Sequence, residues 1–123
     1  MLELIQYLQK NGFTVYVVST SQQEFIRSIS AERIGTLPQQ IIGTRVGFEL
    51  ANLDEDAPSL FVRNKTYFDP YNADNEKVVR ILERALLPVI FAFGNFMVRY
   101  AMPDAAVDSR LPSMFCILNH DDG

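Results

Sequence analysis

A chain of 123 residues with 48% hydrophobic and 21% charged side chains is long enough to bury a real core, and its composition excludes a disordered or fibrous protein. The net charge of −4, with basic residues dispersed rather than clustered, argues against a nucleic-acid partner, because the phosphate backbone rewards a basic face. The longest apolar run, residues 85–93, is far short of the roughly 20 residues that span a bilayer, so no membrane partner is expected. The one cysteine, Cys116, has no partner for an internal disulfide and reads as a small core residue suited to a reducing compartment. Glu3 stands where a signal peptide would carry basic residues, and the expected location is cytoplasmic.

Leu2, Leu4, Ile5 and Leu8 give an N-terminal helix one apolar face, and Asn11-Gly12 is a stop signal. Residues 13–18, β-branched and aromatic, read as a buried strand that ends in the hydroxyls Ser19, Thr20 and Ser21. Ser21-Gln22-Gln23-Glu24 has the spacing of a capping box, opening a helix with Phe25, Ile26, Ile29 and Ile34 inward and Gly35 near its end. After Pro38, residues 41–48 predict one strand, weakened or bent by Gly43 and Gly47. Residues 52–59 are an acidic turn, and Leu60-Phe61-Val62 return as the second arm of a hairpin. Residues 64–73 read as loop.

Asp74 is the expected N-cap of a helix with an apolar stripe at Val78, Ile81, Leu82, Ala85 and Leu86. The most buried strand follows at residues 88–94, closed by Gly94-Asn95, and a short helix runs to Pro103. A polar loop and a last strand at residues 114–118 complete the chain, which ends Asn119-His120-Asp121-Asp122-Gly123. Helix and strand alternate, with no repeat, low-complexity tract or linker. The expectation is therefore one α/β domain over residues 1–123, with a mainly parallel sheet flanked by helices.

Two places offer chemistry. Hydroxyls and free amides between a strand end and a helix start favour an anion, so Ser19, Thr20 and Ser21 form a candidate oxyanion site. The plainer reading is that Ser21 is a helix cap and nothing more. Lys77 lies in the first turn of its helix, where a cation opposes the macrodipole. It either serves a phosphate or pairs with Glu76 or Asp74.

Their order is more specific than either alone. The hydroxyl after Tyr16-Val17-Val18, the lysine in Asn75-Glu76-Lys77-Val78-Val79 and the strand Phe91-Ala92-Phe93-Gly94-Asn95 resemble the haloacid-dehalogenase-like phosphatases, in the phosphoserine phosphatase-type branch. On that resemblance Ser19 matches the second motif, Lys77 the third, and Gly94-Asn95 the opening of the fourth. Ile41-Ile42-Gly43-Thr44-Arg45 and Asn119-His120-Asp121-Asp122 are similar to two further segments of the branch. The resemblance implies a Rossmann-like sheet with a small β-hairpin insertion and a phosphomonoester hydrolase scaffold. Phosphate or a phosphomonoester would be its ligand, and magnesium the family's metal. Within the family an aspartate attacks phosphorus while the metal, hydroxyl and lysine hold its oxygens.

Two departures from that pattern set the expectation for activity. The strand ending in Asp-x-Asp, which carries the nucleophile, is absent ahead of the hydroxyl run, as is the cap segment. Phe96-Met97-Val98-Arg99 stands where the fourth motif carries an aspartate. Asp104, Asp108, Asp121 and Asp122 read as surface or tail acids, so no cofactor is expected for this chain. The fourth motif, Gly94 and Asn95, is then vestigial and no catalytic residue is assigned. Three functions stay open: a phosphatase-family domain without turnover, a phosphatase completed by another chain, and a non-enzymatic interaction module. An exposed sheet edge beside residues 14–18 makes a homo-oligomer or partner chain expected in each case.

Overall fold

The computed structural model describes residues 1–51, 60–68, 71–73, 75–86, 89–94 and 112–117. These fall into two compact units, Met1–Asn72 and Ala73–Gly123. Among the described residues the chain is mixed α/β, with its strands in three two-stranded ladders.

In the first unit, helix α1, Leu2–Lys10, forms on the expected stripe, with Ile5 buried and Leu4 and Leu8 half-buried, though Leu2 is exposed. It ends at Asn11, and Gly12 takes the left-handed φ of 85° that lets the chain leave. The Phe13 amide still turns back to the Leu8 carbonyl at 3.0 Å. That exit turn delays the strand, so β1 is Val17–Gln22 rather than residues 13–18.

Strand β1 therefore runs through Ser21, which removes the expected capping box. The N-cap of α2, Gln23–Ile29, is Gln22, and it makes no side-chain cap hydrogen bond. A wider π turn, Ser30–Ile34, continues the helix until Gly35, at φ 77°, ends it. Of the apolar residues expected inward, Ile26 and Ile34 are half-buried while Phe25 and Ile29 are exposed. For Ile29, at the joint, the extra residue per turn takes the face out of the 3.6-residue phase.

A single 3-10 turn at Pro38–Gln40 leads into β2, Ile41–Thr44, which pairs parallel with β1. Two parallel strands joined through a helix make a β-α-β unit. The strand expected at residues 41–48 is in fact two, because the chain changes ladders at Arg45. Strand β3, Val46–Ala51, pairs antiparallel with β4, Leu60–Tyr67. The second arm foreseen at Leu60 is present and extends through residues expected to be loop. Ile41, Ile42 and Val46 are buried, so the core of this unit sits where the two ladders meet in sequence.

In the second unit, helix α3, Asn75–Ala85, buries Ile81 and half-buries Val78 and Ala85, while Leu82 and Leu86 are exposed. Strands β5, Phe91–Gly94, and β6, Met114–Ile117, pair parallel, with Phe91 opposite Met114 and Phe93 opposite Cys116. Ala92 is buried and Cys116 is half-buried rather than fully in a core. Asp74, Asn95, the helix expected after it, and the acids from Asp104 onward lie outside the described residues, as does the turn at 52–59.

Candidate functional site

The β1–β2 ladder is irregular at the hydroxyl run. Val17 faces Ile41 and Val18 faces Ile42, but the next pair is Gln22 with Thr44. Three residues, Ser19, Thr20 and Ser21, thus stand opposite the single residue Gly43. Extra residues in one strand of a pair leave the ladder and form a bulge, a device that re-aims side chains beside functional sites. The hydroxyls expected beyond the strand are inside it, on this bulge.

Residues that leave a ladder lose their ladder partners, and buried backbone groups must find others. The Ser21 amide donates to Ser19 Oγ at 3.1 Å, closing a small local turn. The carbonyl of Thr20 accepts from Thr44 Oγ1 at 2.6 Å. The carbonyl of Ser19 accepts from Asn72 Nδ2 at 2.6 Å, and the same amide group reaches the Ile42 carbonyl at 3.4 Å. The Asn72 backbone amide in turn donates to Thr44 Oγ1 at 3.4 Å. Asn72 is fully buried, and its Oδ1 has no hydrogen-bond partner among the described residues.

Gly43 makes this close approach work. A Cβ there would stand 2.8 Å from the Ser21 carbonyl oxygen and 2.8 Å from Gln23 Cα. Its amide donates to Oε1 of buried Gln23 at 3.3 Å, tying β2 to the first turn of α2. The glycine is there for space, not to bend the strand. Ser19 is half-buried, while Thr20 and Ser21 are exposed and accessible to a solute.

Lys77 and Gly94 belong to the second unit. Lys77 is half-buried in the first turn of α3 and carries no ion pair among the described residues, since Glu76 pairs with Arg80 at 3.2 Å. Gly94 is the last residue of β5. Asn95 lies outside the described residues. Among those residues no group of three or more His, Cys, Asp or Glu is placed to hold a metal ion. No helix among them is long and apolar enough to cross a membrane.

The residues that shape the bulge, Thr44, Asn72 and Gln23, were not singled out by sequence reasoning as site residues. A threonine directly after Ile41-Ile42-Gly43 was the one available signal, since a polar end to a buried strand needs a partner. Asn72 is an asparagine in an aromatic-rich stretch, and only its burial reveals it.

No protein-family model matches the chain, and no match to a curated protein is found.

Proposed function

We propose that this chain is a Rossmann-like scaffold of the haloacid-dehalogenase-like phosphatase type that holds phosphate without hydrolysing a phosphomonoester by itself. The observation that carries the reading is the bulge at Ser19, Thr20 and Ser21 on a parallel β-α-β unit. Ligands of open α/β sheets sit at the carboxyl ends of such strands, and the bulge stops one residue short of the end of β1. Two exposed hydroxyl side chains on the bulge can donate to phosphate oxygens, and the resemblance implies Lys77 as a phosphate-binding cation.

Hydrolysis needs more than binding. A nucleophile must attack phosphorus as the P–O bond to the leaving group breaks, and in the resembled pattern that nucleophile is a carboxylate. The groups assigned to phosphate, Ser19, Thr20, Ser21 and Lys77, include no carboxylate. Hydroxyl and ammonium groups stabilise charge on phosphorus oxygens without forming the new bond.

Turnover of an aryl phosphate, with and without magnesium, tests this together with phosphate titration followed by amide NMR shifts. The expected result is no turnover above the buffer control, with saturable phosphate binding weakened by Ser19→Ala and by Lys77→Ala. Magnesium-dependent turnover abolished by Lys77→Ala would mean that the chain supplies its own nucleophile. Phosphate binding indifferent to both substitutions would remove the scaffold reading altogether.

The interaction-module reading has one observation of its own. Phe48, Leu50 and Phe61 share one face of the β3–β4 pair by register, and all three are exposed. Sedimentation of the chain beside Phe61→Asp decides it: a monomer in both at every concentration leaves that reading without support.

A further inference from the structure

Strand β4 is distorted near its end. Val46 pairs with Tyr67 and Phe48 with Arg63, so two steps on β3 match four on β4. In a regular strand, residues four apart are about 13 Å apart and do not touch. Here Asn64 folds over Gly47, whose missing Cβ would lie 2.8 Å from Asn64 Nδ2, and Asn64 Oδ1 accepts from the Thr66 amide at 2.9 Å. The contraction brings Arg63 onto Tyr67. Arg63 Nη2 donates to the Tyr67 hydroxyl at 3.0 Å, and its guanidinium carbon lies 5.4 Å from the Tyr67 ring centroid.

From β1, Gln22 Nε2 donates to the same hydroxyl at 2.9 Å. A phenolic oxygen that accepts two hydrogen bonds keeps its own O–H proton to give. No acceptor for that proton stands among the described residues. Arg63 uses one of its five N–H groups on Tyr67 and carries no ion pair among the described residues. Both side chains belong to exposed residues. A cation and a phenolic donor are held side by side by a built distortion and by a residue of another strand, and among the described residues the phenolic proton and the remaining guanidinium N–H groups have no acceptor.

We infer that this foot of the β3–β4 pair is an oxyanion site for a phosphate group, with Arg63 as the cation and the Tyr67 hydroxyl as the second donor. The guanidinium fork presents two parallel N–H groups to two oxygens of one phosphate, a match that a point charge does not make. Gln22 holds the phenol in place from β1. The inference goes beyond the phosphate reading at Ser19, Thr20 and Ser21 and does not depend on it.

The test is titration of the full chain, 15N-labelled, with inorganic phosphate while the Arg63 Nε–Hε signal is followed. A saturable shift is expected. Losing the charge-assisted fork in Arg63→Gln should weaken binding at least about tenfold, and Tyr67→Phe severalfold. Arg63→Lys, which keeps charge without the fork, should fall between wild type and Arg63→Gln. Ser19→Ala should leave this signal's titration within about twofold of wild type, which separates the two sites. Wild-type affinity in both Arg63→Gln and Tyr67→Phe would overturn the assignment. So would an equal response to chloride at matched ionic strength, or a response that disappears in Ser19→Ala. Should Arg63→Gln lose its amide dispersion, Tyr67→Phe, which keeps the ring, decides alone.

Discussion

Thr44 Oγ1 donates a 2.6 Å hydrogen bond to the carbonyl of Thr20, joining the last residue of β2 to the middle of the β1 bulge. Thr44 is 1% exposed while Thr20 is exposed, so the bond is anchored on a buried side chain and is itself part-buried. Thr44→Val keeps the shape and removes the donor, leaving a carbonyl that the ladder no longer serves. The expected cost is about 0.5–1.5 kcal/mol in urea unfolding, the net worth of one typical intramolecular hydrogen bond. Thr44→Ser should recover most of it, because the hydroxyl returns while only a methyl is lost. Equal loss in both variants would mean that the methyl, not the hydrogen bond, is what matters.

Asn72 serves the neighbouring carbonyl, and its chemistry makes a pH test available. Asn72→Asp is nearly isosteric but turns the Nδ2 donor into an acceptor facing the Ser19 carbonyl. A buried carboxylate there is destabilised relative to its neutral form, so its pKa in the folded state lies above the unfolded value. The deficit relative to wild type should then be largest above the folded pKa and shrink as pH falls through it, since a protonated carboxyl donates again. Paired unfolding curves of the two proteins from pH 7 downward check this. A deficit that stays constant with pH would place the Asn72 amide elsewhere than on that carbonyl.

Gly43 predicts a steric effect of a different kind. The atoms a new Cβ would meet, the Ser21 oxygen and Gln23 Cα, are backbone and cannot swing aside as a side-chain tip does. Gly43→Ala should therefore cost about 1–3 kcal/mol, the usual range for overpacking, with amide shifts concentrated at Ser19, Thr20, Ser21 and Gln23. Gly12→Ala differs in kind: nothing lies within 4 Å of a Cβ there, and its cost comes from the positive φ alone. Gly43→Ala should also bind phosphate more weakly than wild type, because the bulge that presents the hydroxyls is displaced.

These residues also explain what the sequence made legible. Helix α1, the existence of strands β5 and β6 and the return at Leu60 follow from apolar periodicity and turn residues, which are local signals. The capping box at Ser21 failed because a tertiary partner outbid a local one: pairing of Gln22 with Thr44 carried the strand past the serine. The break at Arg45 was hidden because both halves of residues 41–48 have strand-like composition, and only the choice of partner strand separates them. Ser19, Thr20 and Ser21 were visible as hydroxyls at a strand end. The bulge that presents them was not, since it depends on Thr44 and Asn72, distant by 24 and 53 residues from the carbonyls they hold.

Leu86 gives the last prediction, and it concerns stability rather than binding. It takes φ 53° just after α3, and it is the sole non-glycine residue with positive φ among the described residues. Its amide donates to the Leu82 carbonyl at 3.1 Å, so the left-handed turn closes the helix as a glycine would. A leucine held there is strained by its Cβ against the following carbonyl, by about 1–2 kcal/mol. At 83% exposure its side chain returns little burial against that cost. Leu86→Gly removes the strain but adds chain entropy to the unfolded state, so the net gain should be at most about 1 kcal/mol. Leu86→Asn, which tolerates the left-handed region with less added entropy, should gain a similar amount. Urea midpoints that rise for both variants support the strain argument. A fall in both would mean that the Leu86 side chain makes a contact that outweighs its backbone conformation.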